Sequence, residues 1–117
     1  MALPTPRPLS DGGGVYARTT SIGATPVAGA TVAIEKGRLQ RAFAFSEGAS
    51  SGTITVTVAI NGVTAGSFSF TGGSNAFGSA EFAPSGAVEV VEGDIVTFTP
   101  AGGAGATIPG HFYAIIR

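Results

Sequence analysis

Thr53-Ile-Thr-Val-Thr-Val-Ala-Ile60 sets Ile54, Val56, Val58 and Ile60 on one side of an extended chain and Thr53, Thr55, Thr57 and Ala59 on the other. Strict alternation over eight residues has the period of a strand with one buried face, and it does not fit the 3.6-residue period of a helix. Asn61-Gly62 follows directly, a pair that accepts the positive φ angles of a tight hairpin turn. Val63 to Thr71 then returns with Phe68 and Phe70 on one face, so the two runs are expected to pair antiparallel.

Short runs of similar character extend outward from this hairpin. Upstream lie Thr31 to Glu35 and Leu39 to Ser46; in the second, Leu39, Arg41, Phe43 and Phe45 share one side, Gln40, Ala42 and Ala44 the other. The large apolar side is expected to face the core, with Arg41 as a defect in it. Downstream lie Asn75 to Phe82, Val88 to Val91, Asp94 to Thr99 and Phe112 to Ile116, separated by turn-rich connections. Eight short strands without a convincing helical stretch predict an all-β protein, an antiparallel β-sandwich or barrel, over residues 27–117. Residues 1–26 read differently. Pro4, Pro6 and Pro8 favour an extended, polyproline-like conformation, and Gly12-Gly13-Gly14 supplies a flexible joint. An extended N-terminal arm is expected there.

Composition narrows the function. The 117 residues carry six Lys and Arg against seven Asp and Glu, a net charge of −1, so no basic field is available to hold a nucleic-acid backbone. No apolar run approaches the roughly 18 residues needed to span a bilayer as a helix, and none near the N-terminus has signal-peptide length. Neither nucleic acid nor membrane is an expected partner. Cysteine is absent, which removes disulfides, thiolate metal sites and cysteine nucleophiles together. Charged residues are 11% of the chain, less than half the usual share of about 25%. A small monomer needs more charge than this to cover its surface, so part of the surface is expected to be covered by protein.

The motifs that resemble catalytic signatures do not hold together. Gly48-Ala-Ser50-Ser-Gly52 has the G-x-S-x-G form, but the strand at Thr53 follows it where a nucleophile elbow requires a helix, so Ser50 reads as a turn serine. His111 lacks sequence neighbours with metal-ligand spacing and reads as a structural or interface histidine. Glu89, Glu92 and Asp94 read as a solvated turn, and Gly102-Gly-Ala-Gly105 as a long loop without the Lys and Ser or Thr of a phosphate-binding loop. Tyr16 and Tyr113 are isolated in sequence, so no exposed aromatic platform for a sugar is expected. No catalytic residue, cofactor or metal is expected, and the chain is not expected to be an enzyme.

Val88-Glu-Val-Val-Glu-Gly-Asp94-Ile-Val-Thr-Phe98 and Gly110-His-Phe-Tyr-Ala-Ile-Ile116 together resemble the closing strands of trimeric jelly-roll heads of the C1q and tumour-necrosis-factor type. There a Gly-Asp turn joins two strands and an aromatic strand closes the sheet; Gly93-Asp94 and Phe112-Tyr113 carry the likeness. The short Pro- and Gly-rich arm is similar to that of small decoration, cement or head-fibre proteins of tailed bacteriophages. The resemblance implies a jelly-roll sandwich, a homotrimer, and a structural place on the outer capsid surface of a virion with the major capsid protein as partner. In this expectation Leu3, Pro4, Pro6, Arg7, Pro8, Leu9 and Arg18 form the capsid-binding arm, and His111, Phe112 and Tyr113 lie at the subunit interface. The alternative is a receptor- or glycan-binding head of a phage fibre or tail.

Overall fold

The computed structural model describes residues 13–34, 36–49, 51–71, 73–82 and 88–116. They form nine strands, with no helix among the described residues: β1 (Gly13–Thr19), β2 (Gly29–Val32), β3 (Gly37–Ser46), β4 (Thr53–Ile60), β5 (Val63–Thr71), β6 (Phe77–Glu81), β7 (Glu89–Val90), β8 (Ile95–Ala101) and β9 (Gly110–Ile116). One sheet has the order β1-β9-β3-β6 and the other β2-β8-β4-β5, every neighbouring pair antiparallel. The two-residue β7 pairs with Gly37 and Arg38, beyond the part of β3 that β6 covers. Setting β7 aside, the sheets hold the first, eighth, third and sixth strands and the second, seventh, fourth and fifth, which is the jelly roll.

The segment that decides the fold is β4, with Ile54, Val56 and Val58 inaccessible to water and Ile60 nearly so. Its hairpin to β5 turns through Asn61 and Gly62 at φ of 50° and 85°, the left-handed conformations that Asn and Gly tolerate best. Phe68 and Phe70 return on the buried face as expected. Phe98 from one sheet and Phe112 from the other stack face to face at 5.0 Å and join the layers. Gly29 lies against this stack, and a Cβ there would come within 3.0 Å of the Phe112 ring.

Three expectations are corrected. The boundary at residue 26 gives way, because Gly13–Thr19 is a full edge strand in seven-residue register with β9. Val15, Ala17 and Thr19 point into the sandwich, and Ile22 beyond them is fully buried. Gly13 and Gly14 are thus sheet residues, and the alternation through Val15, Ala17 and Thr19 was masked by the glycines beside it. The faces of β3 are the second correction. Register between β3 and β9 shifts between Leu39 and Arg41, so Gln40 is an extra residue. Leu39 points inward, but so do Ala42, Ala44 and Ser46, while Arg41, Phe43 and Phe45 point outward. The small face is inside because Ala44 sits directly beside Phe112 in the sheet, where the stacked rings already occupy the interior. Third, Phe112 is fully buried within the chain and presents no side-chain surface to a subunit contact.

The Gly93-Asp94 turn ties two hairpins together. Asp94 accepts hydrogen bonds from the Val91 N–H and the Asn61 side-chain amide, each at 2.9 Å, while Asn61 Oδ1 accepts from the Ile95 N–H at 2.8 Å. The Val91 N–H foremost, then Asn61, holds the Asp94 carboxyl below its usual range, with desolvation opposing them weakly. A depressed folded-state pKa gives stability that is complete above the unfolded value near pH 4 and is lost as pH falls through the folded value. Asp94→Asn is therefore expected to lower Tm at pH 7 and to shrink the loss of Tm between pH 5 and pH 2, read by thermal melts. Val56→Asp should yield no folded protein by circular dichroism, because an unpaired carboxylate would enter a dry layer. A variant melting like the parent would show that this face lies elsewhere.

Candidate functional site

The sandwich turns an unusual face to water on the β1-β9-β3-β6 sheet. Strand register arranges its outward side chains in rows. One row runs Gly14, Ile115, Arg41, Glu81; the next Tyr16, Tyr113, Phe43, Ser79; the third Arg18, His111, Phe45, Phe77. Five aromatic rings and a histidine thus share one surface, centred on two adjacent rows. Phe77 is 71% exposed, Tyr16 46% and Tyr113 43%. Phe43, Phe45 and Ile115 lie lower, half-buried between them, in a trough of about 500 Å³ whose ends reach Gly14 and Phe77.

Polar groups rim the trough at two corners. At one, Arg41 Nε lies 3.5 Å from Glu81 Oε1 and the guanidinium sits over the Phe43 ring, 4.8 Å from its centre. At the other, the Tyr16 hydroxyl bonds His111 Nδ1, and His111 Nε2 lies 2.6 Å from Glu47 Oε2. An ionised Glu47 only accepts, so neutral His111 carries its proton on Nε2 and Nδ1 accepts from Tyr16. Arg18 Nη2 stands 3.9 Å from the same Glu47 oxygen. The His111 ring stacks on Phe45 at 5.1 Å, and Tyr16 packs against Tyr113 at 5.0 Å. The chain of bonds fixes the Tyr16 ring beside Tyr113 at the edge of the trough.

The expected site residues divide accordingly. Leu3, Pro4, Pro6, Arg7, Pro8 and Leu9 lie outside the described residues, as does Ser50. Arg18 is corrected: it belongs to β1 and its side chain meets Glu47, rather than extending an arm beyond a glycine joint. His111 and Tyr113 are on the outer face, and Phe112 between them is in the core. Tyr16 and Tyr113, far apart in sequence, are ring neighbours. Phe43, Phe45 and Phe77 were missed. The aromatic count alone assigns rings to a core, and the added residue at Gln40 that sends two of them outward leaves no mark in the alternation. Glu89 pairs loosely with Arg38 at 3.9 Å, and the 102–105 segment is a loop bridged to Ser51 through Ala104.

No protein-family model matches this sequence, and no curated protein matches it significantly. The reading of the face therefore rests on its own chemistry. A patch of aromatic side chains centred in a polar rim has the makeup of a surface that contacts another molecule. Its most exposed ring contributes little to the fold: Phe77→Ala is expected to change the stability of the single chain by less than about 0.5 kcal/mol. Phe112→Ala should cost about 3–5 kcal/mol. Urea denaturation of the two variants checks the contrast, and equal losses would contradict the assignment of an outer and an inner set.

Proposed function

We propose that this chain is a structural protein, a jelly-roll subunit that assembles with copies of itself, in a trimer, and decorates the outer surface of a phage head. The observation that carries the reading is the aromatic face of the β1-β9-β3-β6 sheet, a surface suited to cover by another protein rather than to free contact with water. The scarcity of charge supports it, since a body built to be largely covered has less need of a solvating surface. The jelly-roll strand order agrees with the resemblance from which the trimer and the capsid location come.

In this reading residues 1–12 supply the attachment to the major capsid protein. The segment precedes Gly13, the first residue of an edge strand. Its three prolines restrict the free backbone, which lowers the entropy lost on docking, and Leu3, Leu9 and Arg7 offer apolar and charged contacts. Several arms on one assembly act together, because the first to dock raises the effective concentration of the rest. A second reading, a glycan-binding head, draws on the adjacent Tyr16 and Tyr113 rings, although Arg18, Glu47 and His111 beside them are engaged with one another.

Deleting residues 1–12 is expected to leave a folded, self-associated body whose affinity for capsid-like particles falls at least tenfold. The deletion stops short of β1 so that the sheet stays whole. Binding is measured by co-sedimentation, and undiminished decoration would place attachment in the sandwich. Binding of the intact protein to a glycan panel but not to particles would favour the second reading.

A further inference from the structure

The outer face of the β1-β9-β3-β6 sheet is a ridge at one edge and a gap at the other. Phe77 stands on edge strand β6, the most exposed large apolar side chain among the described residues. On the opposite edge, β1 presents Gly14, which has no side chain, in the row beside Tyr16 and next to Ile115. We propose that the β6 edge of one copy seats on this sheet face of a second copy, with Phe77 in the gap at Gly14 against Tyr16 and Ile115. The contact is head-to-tail, since ridge and gap are different residues, and it rests on the self-assembly reading above.

Charge sets the register. Glu81 lies four residues from Phe77 along β6, and Arg18 four residues from Gly14 along β1. In extended strands both spacings are about 13 Å. With Phe77 over Gly14 and β6 laid parallel to β1 of the second copy, Glu81 reaches Arg18. Each is only loosely engaged within its own chain, Glu81 with Arg41 at 3.5 Å and Arg18 with Glu47 at 3.9 Å, and both side chains are more than half exposed. The scale also fits. At about 150–250 Å² for each ring, the exposed fractions of Tyr16, Tyr113 and Phe77 leave roughly 300 Å² of aromatic surface. Counted over both partners, that is an apolar centre for an interface of about 1,600 Å² in total, with the Glu81–Arg18 pair at its rim.

The test uses full-length protein, light scattering after size exclusion at micromolar concentration, and circular dichroism. The parent should run as one discrete species of several chains. Phe77→Asp and Gly14→Glu should each run as folded monomers; Gly14 lies on the outer face, and among the described residues a Cβ there meets the Ala114 carbonyl oxygen at an ordinary 3.6 Å. Mixed in equal amounts, they should form a 1:1 dimer, because one retains the gap and the other the ridge. Two monomeric variants that fail to combine would overturn the head-to-tail contact in favour of face-to-face pairing. A Phe77→Asp protein with the parent's mass would overturn the role of the β6 edge while leaving self-assembly intact; a monomeric parent would instead remove the self-assembly reading itself. Glu81→Arg should weaken association at least tenfold and Arg18→Glu in the same chain should restore it, and absence of restoration would overturn the register.

Discussion

Gln40 adds one residue to β3 opposite β9, and the outer surface of the molecule depends on that insertion. Without it, a strict alternation from Leu39 would send Phe43 and Phe45 into the sandwich. With it, Leu39 stays inside while Ala42 and Ala44 take the following inward positions. The two alanines leave the space that the Phe98–Phe112 stack fills, and the two displaced rings become the floor of the outer trough. The bulge is stabilised where it occurs: Gln40 O accepts from Phe82 N at 2.7 Å and Leu39 N donates to Val88 O at 3.0 Å, so the chain on either side of the β6–β7 connection satisfies the disturbed backbone.

Among the described residues, the same sheet face carries all the side-chain ion pairs but Arg38–Glu89. Arg18, Glu47, His111 and Tyr16 form one connected group, and Arg41, Glu81 and Phe43 another, on opposite corners of the aromatic surface. In a chain with so few charged residues, this concentration gives the face a defined orientation. The outer surface of the other sheet is mostly Thr, Ser and Ala, with Val32, Val63 and Ile95 exposed at one end and Thr55 and Ser69 hydrogen-bonded across strands at 2.9 Å. The two sides of the sandwich therefore present different chemistry, one aromatic and one hydroxyl-rich. An assembly that covers the first and exposes the second would leave a weakly charged but hydrogen-bonding exterior.

Such a division of labour suits a structural subunit. The proposed capsid attachment leaves from the edge strand β1, whose Tyr16 and Arg18 also belong to the aromatic face, so attachment and self-association would share one element. Ordering of the arm on a partner would then be felt directly by the strand that carries the proposed self-association gap.

Local properties of the chain settle the strand class, the β4–β5 hairpin and the inward face of β4: Ile54, Val56, Val58 and Ile60 alternate with Thr53, Thr55, Thr57 and Ala59, and Asn61-Gly62 makes the turn. The sequence by itself also showed the lack of charge that points to a covered surface. Strand β1 was present in the alternation of Val15, Ala17 and Thr19 but lay under a glycine run that reads equally well as a joint. Only the tertiary structure decided which side of β3 is interior, since one extra residue reverses every side chain after it and the register with β9 is set by a partner 70 residues away in sequence. Pairing across the sheet likewise brought Tyr16 to Tyr113 and Phe45 to His111, and separated Phe112 from the surface it was expected to share with its neighbours. An outer face composed from four strands is a property of their registers, and no single segment contains it.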